Sequence, residues 1–304
     1  MTAPGPTLAY RVVDVFTDRP FAGNPLAVVL DADGLSTEAL QSLAQEFSLS
    51  ETAFPMRADD GADYRLRIFT PEVELPFAGH PSVGSAWVLR RLGRLPDGRV
   101  TQSCGAGLLP VEADDDGATL TGGAPSVGEP RDPGPLLAAV GLTPDDLDGP
   151  APRSCGTGID FAYLPVRPDA VARAVPDAAA LRRVGGAGLS VVAWRDGRAH
   201  ARVFAGGVGV LEDPATGSAA LGLGVYLATS GLVPDGRTAY VVRQGAEMGR
   251  PSTLSCAVTV RDRQVLEATV HGSVVAVASG EVARPAQLSQ LRTSGRPGPS
   301  RPSG

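Results

Sequence analysis

The stretches GHPSVGSA at residues 79–86 and EDPATGSA at residues 212–219 decide the fold of this 304-residue chain. Each places an acid or base side chain, His80 or Asp213, directly before a proline, and each continues into an apolar run without charge. A helix that is apolar all round is a buried helix, so both runs indicate a helix at the centre of a core. The predicted helices span Pro81–Leu89 and Gly217–Leu227.

The two stretches also resemble each other. Asp213 follows His80 by 133 residues, and the same spacing pairs Pro81 with Pro214, Gly84 with Gly217 and Ser85 with Ser218. An Arg-x-Phe strand precedes each stretch, at residues 67–69 and 202–204. We infer an internal duplication. It predicts an α+β fold of two pseudo-symmetric lobes, each a mostly antiparallel or mixed sheet wrapped around a central buried helix, with His80 and Asp213 in equivalent places.

The lobe boundaries follow from composition. Residues 122–136 are rich in Gly and Pro and form the best candidate linker. We therefore predict an N-terminal lobe over 1–122, a C-terminal lobe over 123–272, and a final strand over 273–283 that returns to the N-terminal lobe. The tail at 284–304, with many Ser, Arg, Pro and Gly residues, is expected to be disordered.

Local patterns predict the remaining elements. Alternating or β-branched runs predict strands at Leu8–Phe16, Leu26–Leu30, Leu49–Phe54, Leu66–Phe69, Phe161–Val166, Ser190–Trp194 and Ala201–Phe204. Ser36 or Thr37 can cap a helix that runs to about Phe47, and a short helix is expected near Leu136–Val140.

Composition excludes several classes of function. The net charge of −6 and the absence of a basic stripe argue against nucleic acid and anionic membrane surfaces. No apolar run is long enough for a membrane span, and no signal peptide is legible, so we expect a cytoplasmic protein. The chain has no lysine, which excludes a pyridoxal-phosphate Schiff base and a P-loop in this chain. No spacing of His, Cys and Asp suggests a metal site.

Both helix starts suit a small anion. Proline is tolerated near a helix start, where the free N–H groups and the positive helix end attract negative charge. Two such helix ends that face each other across a cleft would hold a small carboxylate between His80 and Asp213.

Five segments taken together resemble the PhzF family of phenazine biosynthesis, which has the diaminopimelate-epimerase-like fold. They are VDVFTDRPFAGNPLAVV at 13–29, LSETAF at 49–54, ELPFAGHPSVGSA at 74–86, EDPATGSAA at 212–220 and QGAEMGRPS at 244–252. The resemblance covers residues 8–283. It implies an active site between two lobes, a homodimer and no cofactor.

The resemblance also implies residue roles. In the best-understood member, which isomerises a dihydro-hydroxyanthranilate by a proton shift, a Glu in the LSET-type motif takes the proton, and Glu51 matches it. His80 and Asp213 match residues that line the same site. Gly217 and Ser218 match the residues that bind the substrate carboxylate, and Ser50 and Gly79 complete the predicted substrate-binding set. Related racemases carry a cysteine at each helix start, positions that we expect here to be His80 and Asp213, so two-thiol racemisation is not expected.

The leading prediction is therefore a cofactor-independent isomerase that shifts a proton on a small carboxylate-bearing metabolite, in secondary metabolism. A cyclisation, a pericyclic rearrangement or a C–C bond cleavage in the same cleft stays open, as does a non-catalytic small-molecule binder. Each residue also has a structural alternative. Glu51 could lie on a strand edge and Asp213 could cap a helix, whereas Cys104, Cys155 and Cys256 are expected to be inert thiols.

Overall fold

The computed structural model describes residues 6–206 and 210–285. The first half of the chain forms eight strands and two helices. In order these are β1 (Thr7–Val15), β2 (Asn24–Val29), α1 (Thr37–Phe47), β3 (Glu51–Met56), β4 (Tyr64–Phe69), β5 (Glu74–Leu75), α2 (Gly79–Arg91), β6 (Gly98–Cys104), β7 (Gly107–Ala113) and β8 (Gly117–Thr121).

The second half adds nine strands and four helices, with two single-turn 3₁₀ helices at Pro144–Asp146 and Ala246–Met248. In order the elements are β9 (Ser126–Pro130), α3 (Pro133–Ala139), β10 (Arg153–Gly156), β11 (Asp160–Pro165), α4 (Pro168–Arg173), α5 (Ala178–Val184), β12 (Gly188–Arg195), β13 (Arg198–Ala205), β14 (Val210–Asp213), α6 (Gly217–Thr229), β15 (Gly236–Gln244), β16 (Ser252–Arg261) and β17 (Gln264–Ala283).

Two helices lie inside the sheet and confirm the predicted core. In α2 every residue from Gly79 to Leu89 is buried, and in α6 every residue from Gly217 to Ala228 is buried. The strands around them pair mostly antiparallel, with parallel pairs at β2–β3, β4–β6, β11–β12 and β13–β15. The fold is thus the predicted α+β arrangement of mixed sheet around two central helices.

The repeat is present, but in a register different from the predicted one. Both helices have 13 residues and begin at Gly79 and Gly217, so the spacing is 217 − 79 = 138 positions. The same spacing relates the PDGR segments at 96–99 and 234–237, whose glycines begin β6 and β15 with φ of 95° and 103°.

This register corrects the expectation that His80 and Asp213 occupy equivalent places. His80 is the second residue of α2, whereas Asp213 ends β14 four positions before α6. The segment between Asp213 and α6 is not helical: Pro214 lies in a bend, and Thr216, directly before the helix, has an extended backbone with φ −109° and ψ 92°. The repeat partner of His80 is Ser218, and the residues at the helix starts are glycines.

Two equivalent ion pairs, one in each repeat, support the internal duplication. The guanidinium of Arg67 donates to both carboxylate oxygens of Glu74, at 2.7 and 2.6 Å, and lies 5.1 Å from the ring centre of Phe69. The guanidinium of Arg202 does the same with Glu212, at 2.8 and 2.8 Å, and lies 5.0 Å from the Phe204 ring. The predicted Arg-x-Phe strands, β4 and β13, thus share one local arrangement.

The long strand β17 links the two halves of the molecule. Its first part pairs with β16 from Gln264 to His271, and its last part pairs with β1 from Val274 to Ala283. Between them Thr269–Ser273 pairs with β8. The boundaries of the lobes, including the return of 273–283, stay predictions.

The segment 122–136 is more regular than the predicted linker. It contains β9, which pairs with β10, and the start of α3, which Asp132 caps by accepting a hydrogen bond from the Gly134 N–H. Pro133 at the helix start explains why a Pro-rich segment folds there. The predicted disordered tail lies, from residue 286 onward, outside the described residues.

The other predicted elements are confirmed within a few residues. Ser36 caps α1 by accepting a hydrogen bond from the Ala39 N–H, and α1 ends at Phe47 as predicted. The predicted strands correspond to β1, β2, β3, β4, β11, β12 and β13, and the short helix near Leu136 is α3.

Candidate active site

The starts of α2 and α6 meet head to head. A side chain on Gly79 would come within 2.6 Å of the Ser218 backbone nitrogen, and one on Gly217 within 3.1 Å of the Gly79 Cα. Neither helix start has a side-chain cap from within the described part of the chain. The absence of a Cβ therefore lets two sets of N–H groups converge, and the positive ends of both helices add in one place.

Glu51 enters this region as the first residue of β3. It pairs with Leu26 in the neighbouring parallel strand and is buried. Its Oε2 atom has no hydrogen-bond partner among the described residues. Burial raises the pKa of Glu51 well above its usual value, and the negative charge of Asp213 raises it further.

His80 lies behind Glu51 in the first turn of α2. It is only 2% exposed, and its Nε2 atom is 3.5 Å from Glu51 Oε2. Burial lowers the pKa of His80 to about 3, so the ring is neutral at physiological pH. The pair is therefore a neutral imidazole beside a carboxyl group, and the attraction between opposite charges does not hold it together.

Asp213 is held from three directions. Its Oδ2 accepts a hydrogen bond of 2.6 Å from the Thr216 hydroxyl, and its Oδ1 accepts one of 2.8 Å from Asn24 Nδ2. Its backbone carbonyl accepts from Gln244 Nε2 at 2.7 Å. Burial raises the pKa of Asp213 to about 6, although hydrogen bonds from Thr216, Asn24 and Ser50 oppose the shift.

A narrow cleft gives access to two of these groups. Glu51 and Asp213 lie in its wall, together with Thr216 and Ser218. The rest of the wall is apolar, and it is formed by Leu75, Phe77, Ala78, Ile159, Phe161, Ala187, Ala205 and Val210. The cleft encloses about 410 Å³ of empty space, counting its open mouth. A mostly apolar wall with a few polar groups is typical of sites for small ligands.

The structure thus brings together the seven predicted site residues, but only some of them line the cleft. Glu51, Asp213 and Ser218 line the cleft. His80 is behind Glu51, and the Ser50 hydroxyl hydrogen-bonds Asp213. Gly79 and Gly217 contact each other at the two helix starts. Their catalytic and binding roles remain predictions.

Sequence reasoning missed three polar residues that organise Asp213: Asn24, Thr216 and Gln244. Gln244 Nε2 also donates to the Thr216 hydroxyl at 3.0 Å, and the Thr216 N–H donates to Gln244 Oε1 at 3.2 Å. Composition held one usable signal, because Asn24 is the only asparagine in the chain.

A larger concavity of about 900 Å³ lies on the outer face of β15, β16 and β17. Its wall includes Asp18, Arg19, Arg243 and His271, together with several hydroxyl groups. None of the unpartnered buried acid or base atoms lies in it among the described residues. The smaller cleft, which Glu51 and Asp213 line, is therefore the candidate site.

Within 6–206 and 210–285, no three His, Cys, Asp or Glu side chains are grouped as a metal would require. No helix in these ranges is long and apolar enough to cross a membrane. Burial raises the pKa of Cys155 to about 12, which keeps this thiol protonated and fits its expected inert role.

Two lobes around head-to-head helices, with acid and base groups at the junction, are the architecture of diaminopimelate-epimerase-like enzymes. A hydroxyproline epimerase from Agrobacterium vitis has a similar fold, with a TM-score of 0.64 at 14% identity, covering 93% of this chain and 94% of that chain. At this identity the likeness concerns the fold alone.

The chain belongs to the PhzF family: residues 13–280 match the family model described as phenazine biosynthesis-like protein. The trans-2,3-dihydro-3-hydroxyanthranilate isomerase of Pseudomonas aeruginosa is 35% identical over 285 residues, which cover 89% of this chain and 98% of that protein. A PhzF-family protein from Bacillus anthracis superposes with a TM-score of 0.81 at 28% identity, covering 91% and 99% of the two chains. This chain is accordingly an isomerase of that family.

Proposed function

We propose that the protein shifts a proton between atoms of a small carboxylate-bearing metabolite, without a cofactor, and that Glu51 is the general base. The observation that carries this proposal is the Glu51 Oε2 atom, which is buried in the cleft wall without a hydrogen-bond partner among the described residues. A structural carboxylate would have its oxygens paired. Glu51 lines the cleft, and its Oε2 atom faces His80 without a hydrogen bond, so this carboxyl group is not committed to a structural pair and is available to a substrate proton.

The electrostatics of the cleft support a base of this kind. A carboxylate with a raised pKa holds a proton more strongly, which makes it a better base near neutral pH. Asp213 also has a raised pKa, of about 6, so the cleft contains two carboxyl groups whose burial favours the protonated form. A proton shift needs both removal and return of a proton, and one or both of these groups can supply it.

The substrate carboxylate would bind at the helix starts. No Lys or Arg lines the cleft within the described residues, so side-chain cations are not available for this task. The N–H groups of Gly79, Gly217 and Ser218 belong to uncapped first turns, and the positive ends of α2 and α6 favour an anion there. The apolar wall would contact the uncharged part of the metabolite.

The test is hydrogen exchange in D₂O. Small carboxylates with an acidic C–H would be incubated with the enzyme, including the dihydro-hydroxyanthranilate named for the Pseudomonas aeruginosa relative, and product deuterium would be measured by mass spectrometry. We expect one solvent deuterium per turnover in the isomerised product. Turnover without deuterium would contradict the proton shift through an exchanging base and would favour a pericyclic reaction.

We also propose a homodimer, as the family resemblance implies. Light scattering on the purified protein would distinguish the mass of the 31.1 kDa chain from twice that mass. A monomer at micromolar concentration would refute this part without affecting the proposed chemistry.

A further inference from the structure

Asn24 is the point at which the two helices, His80 and Asp213 are connected. It is the first residue of β2, and it is fully buried. Its Nδ2 atom is 2.8 Å from Asp213 Oδ1, 2.9 Å from the Ala215 carbonyl oxygen and 3.1 Å from His80 Nδ1. One side-chain amide thus contacts both His80 at the start of α2 and the segment that leads into α6.

The orientation of this amide follows from its neighbours. If the amide were turned over, its oxygen would face a carboxylate oxygen of Asp213 and the carbonyl oxygen of Ala215. Both atoms accept hydrogen bonds, so only the NH₂ end fits there. The opposite end, Asn24 Oδ1, has no partner among the described residues, and nothing there favours the reverse orientation.

The orientation of Asn24 then determines where His80 carries its proton. A neutral imidazole has one N–H, on Nδ1 or on Nε2. A proton on Nδ1 would face the N–H of Asn24, donor against donor. The two N–H groups of Asn24 are shared among three acceptors, Asp213 Oδ1, the Ala215 carbonyl and a bare His80 Nδ1, and the imidazole proton is then on Nε2, 3.5 Å from Glu51 Oε2.

We propose that Asn24 is a positioning residue that holds His80 in the Nε2-protonated tautomer and so directs the His80 N–H at Glu51. The inference about the tautomer stands on geometry, and only its catalytic purpose rests on the proposed function: an N–H beside Glu51 stabilises the carboxylate form that accepts a substrate proton.

Asn24 is not interchangeable with the other polar residues at this position. Aspartate has the same shape but would accept at Nδ1, and it would bring a second carboxylate next to Asp213. Alanine removes the donor and leaves Asp213 Oδ1 and the Ala215 carbonyl without this partner. Asn24→Asp therefore removes the hydrogen-bond donor while it keeps the side-chain volume, whereas Asn24→Ala removes both.

The test is nitrogen NMR on the full-length protein labelled with ¹⁵N-histidine. The chain has three histidines, so His200→Gln and His271→Gln assign the His80 ring by elimination. At pH 7.5, a value we choose to keep the ring neutral, we expect a protonated Nε2 and an unprotonated Nδ1 for His80. A wild-type His80 with its proton on Nδ1 overturns the proposal, and this result does not depend on any variant folding.

The variants add the causal step. In Asn24→Asp we expect the proton to move to Nδ1, and in Asn24→Ala we expect an increased Nδ1-protonated population. An Nε2–H signal unchanged in both folded variants would show that another group determines the tautomer and would refute the role of Asn24. These spectra need no substrate, so an enzyme that fails to exchange deuterium would refute the proposed function while leaving this inference intact.

Discussion

Glu51 Oε2 and His80 Nε2 face each other at 3.5 Å, and neither atom has a hydrogen-bond partner among the described residues. The distance is too long for a strong hydrogen bond. Leaving buried polar atoms unpaired costs free energy, of the order of 1–3 kcal/mol for each group. A ligand, or a proton transferred between the two groups, would supply the missing partner and remove this cost.

The first prediction concerns the base. Glu51→Gln keeps the shape of the side chain and removes the proton acceptor, so kcat should fall by at least about 100-fold. The matched control is Glu46→Gln on the exposed face of α1, which should keep wild-type kcat. Thermal melting should show that both variants fold. A Glu51→Gln enzyme with more than about a tenth of wild-type kcat would refute the role of Glu51 as the base.

The second prediction concerns the pH dependence of the rate. The base works when it is deprotonated, so kcat/KM should rise with pH through an apparent pKa well above that of an ordinary glutamate. Asp213 contributes to that raised pKa through its negative charge. Asp213→Asn should therefore move the rising limb of kcat/KM to lower pH. Because the carboxyl groups of Glu51 and Asp213 interact, the apparent pKa of this limb belongs to the pair and not to either residue alone.

A shift of that limb to higher pH in Asp213→Asn would contradict this electrostatic account. Thr119→Val, far along the chain in β8 and outside the cleft wall, serves as the control and should leave the limb unchanged.

The third prediction concerns stability. The pKa of Asp213 is raised from 3.8 to about 6 in the folded protein, so the folded state binds this proton more tightly than the unfolded state. Its contribution to stability is present at low pH and is lost as pH rises through this window. The shift corresponds to about 3 kcal/mol.

Asp213→Asn removes this titration. The free energies of unfolding of this variant and of the wild type would be measured in urea at pH 4.5 and pH 7.5, two values chosen to bracket the window. We expect the variant to gain stability relative to the wild type as the pH rises from the first value to the second. A difference between the two proteins that stays constant over this range would show that Asp213 does not titrate as described.

The fourth prediction concerns the junction of the two helices. A methyl group at Gly79 would lie 2.6 Å from the Ser218 nitrogen and 2.7 Å from two Gly217 backbone atoms, none of which can move without shifting a helix. Gly79→Ala should cost about 1–3 kcal/mol of stability and lower kcat/KM. In Gly134→Ala, at the start of α3, the new methyl would meet nothing closer than 3.4 Å. That control should be neutral, and equal effects of the two substitutions would contradict the close approach.

The sequence predicted the fold well because its strongest signals are local. Charge-free runs identify α2 and α6 as buried, since no other place in a folded protein suits an apolar helix surface. The predicted register failed because Pro, Gly and Ser recur often enough to align by chance at 133. The PDGR segments at 96–99 and 234–237 would have corrected it, as their glycines need a left-handed backbone at the same point of each repeat.

The candidate site was predictable only in part. Glu51 and Asp213 stand in distinctive motifs, and the resemblance pointed to both. The network around them was not predictable, because Asn24 and Asp213 are 189 positions apart and meet only when both halves are folded. Gln244 is the last residue of β15, and no local pattern in that strand reveals that its side chain donates to the backbone carbonyl of Asp213.

The strand β17 constrains the order in which the chain can fold. Val15 in β1 pairs with Val274, so β1 must wait until a strand 259 positions later in the chain has been made before this edge of it is covered. Contacts so distant in sequence slow folding, and an uncovered strand edge invites pairing with other chains. The N-terminal half is thus exposed to misassembly throughout synthesis, and a nascent chain halted before residue 274 should depend on chaperones more than the finished protein does.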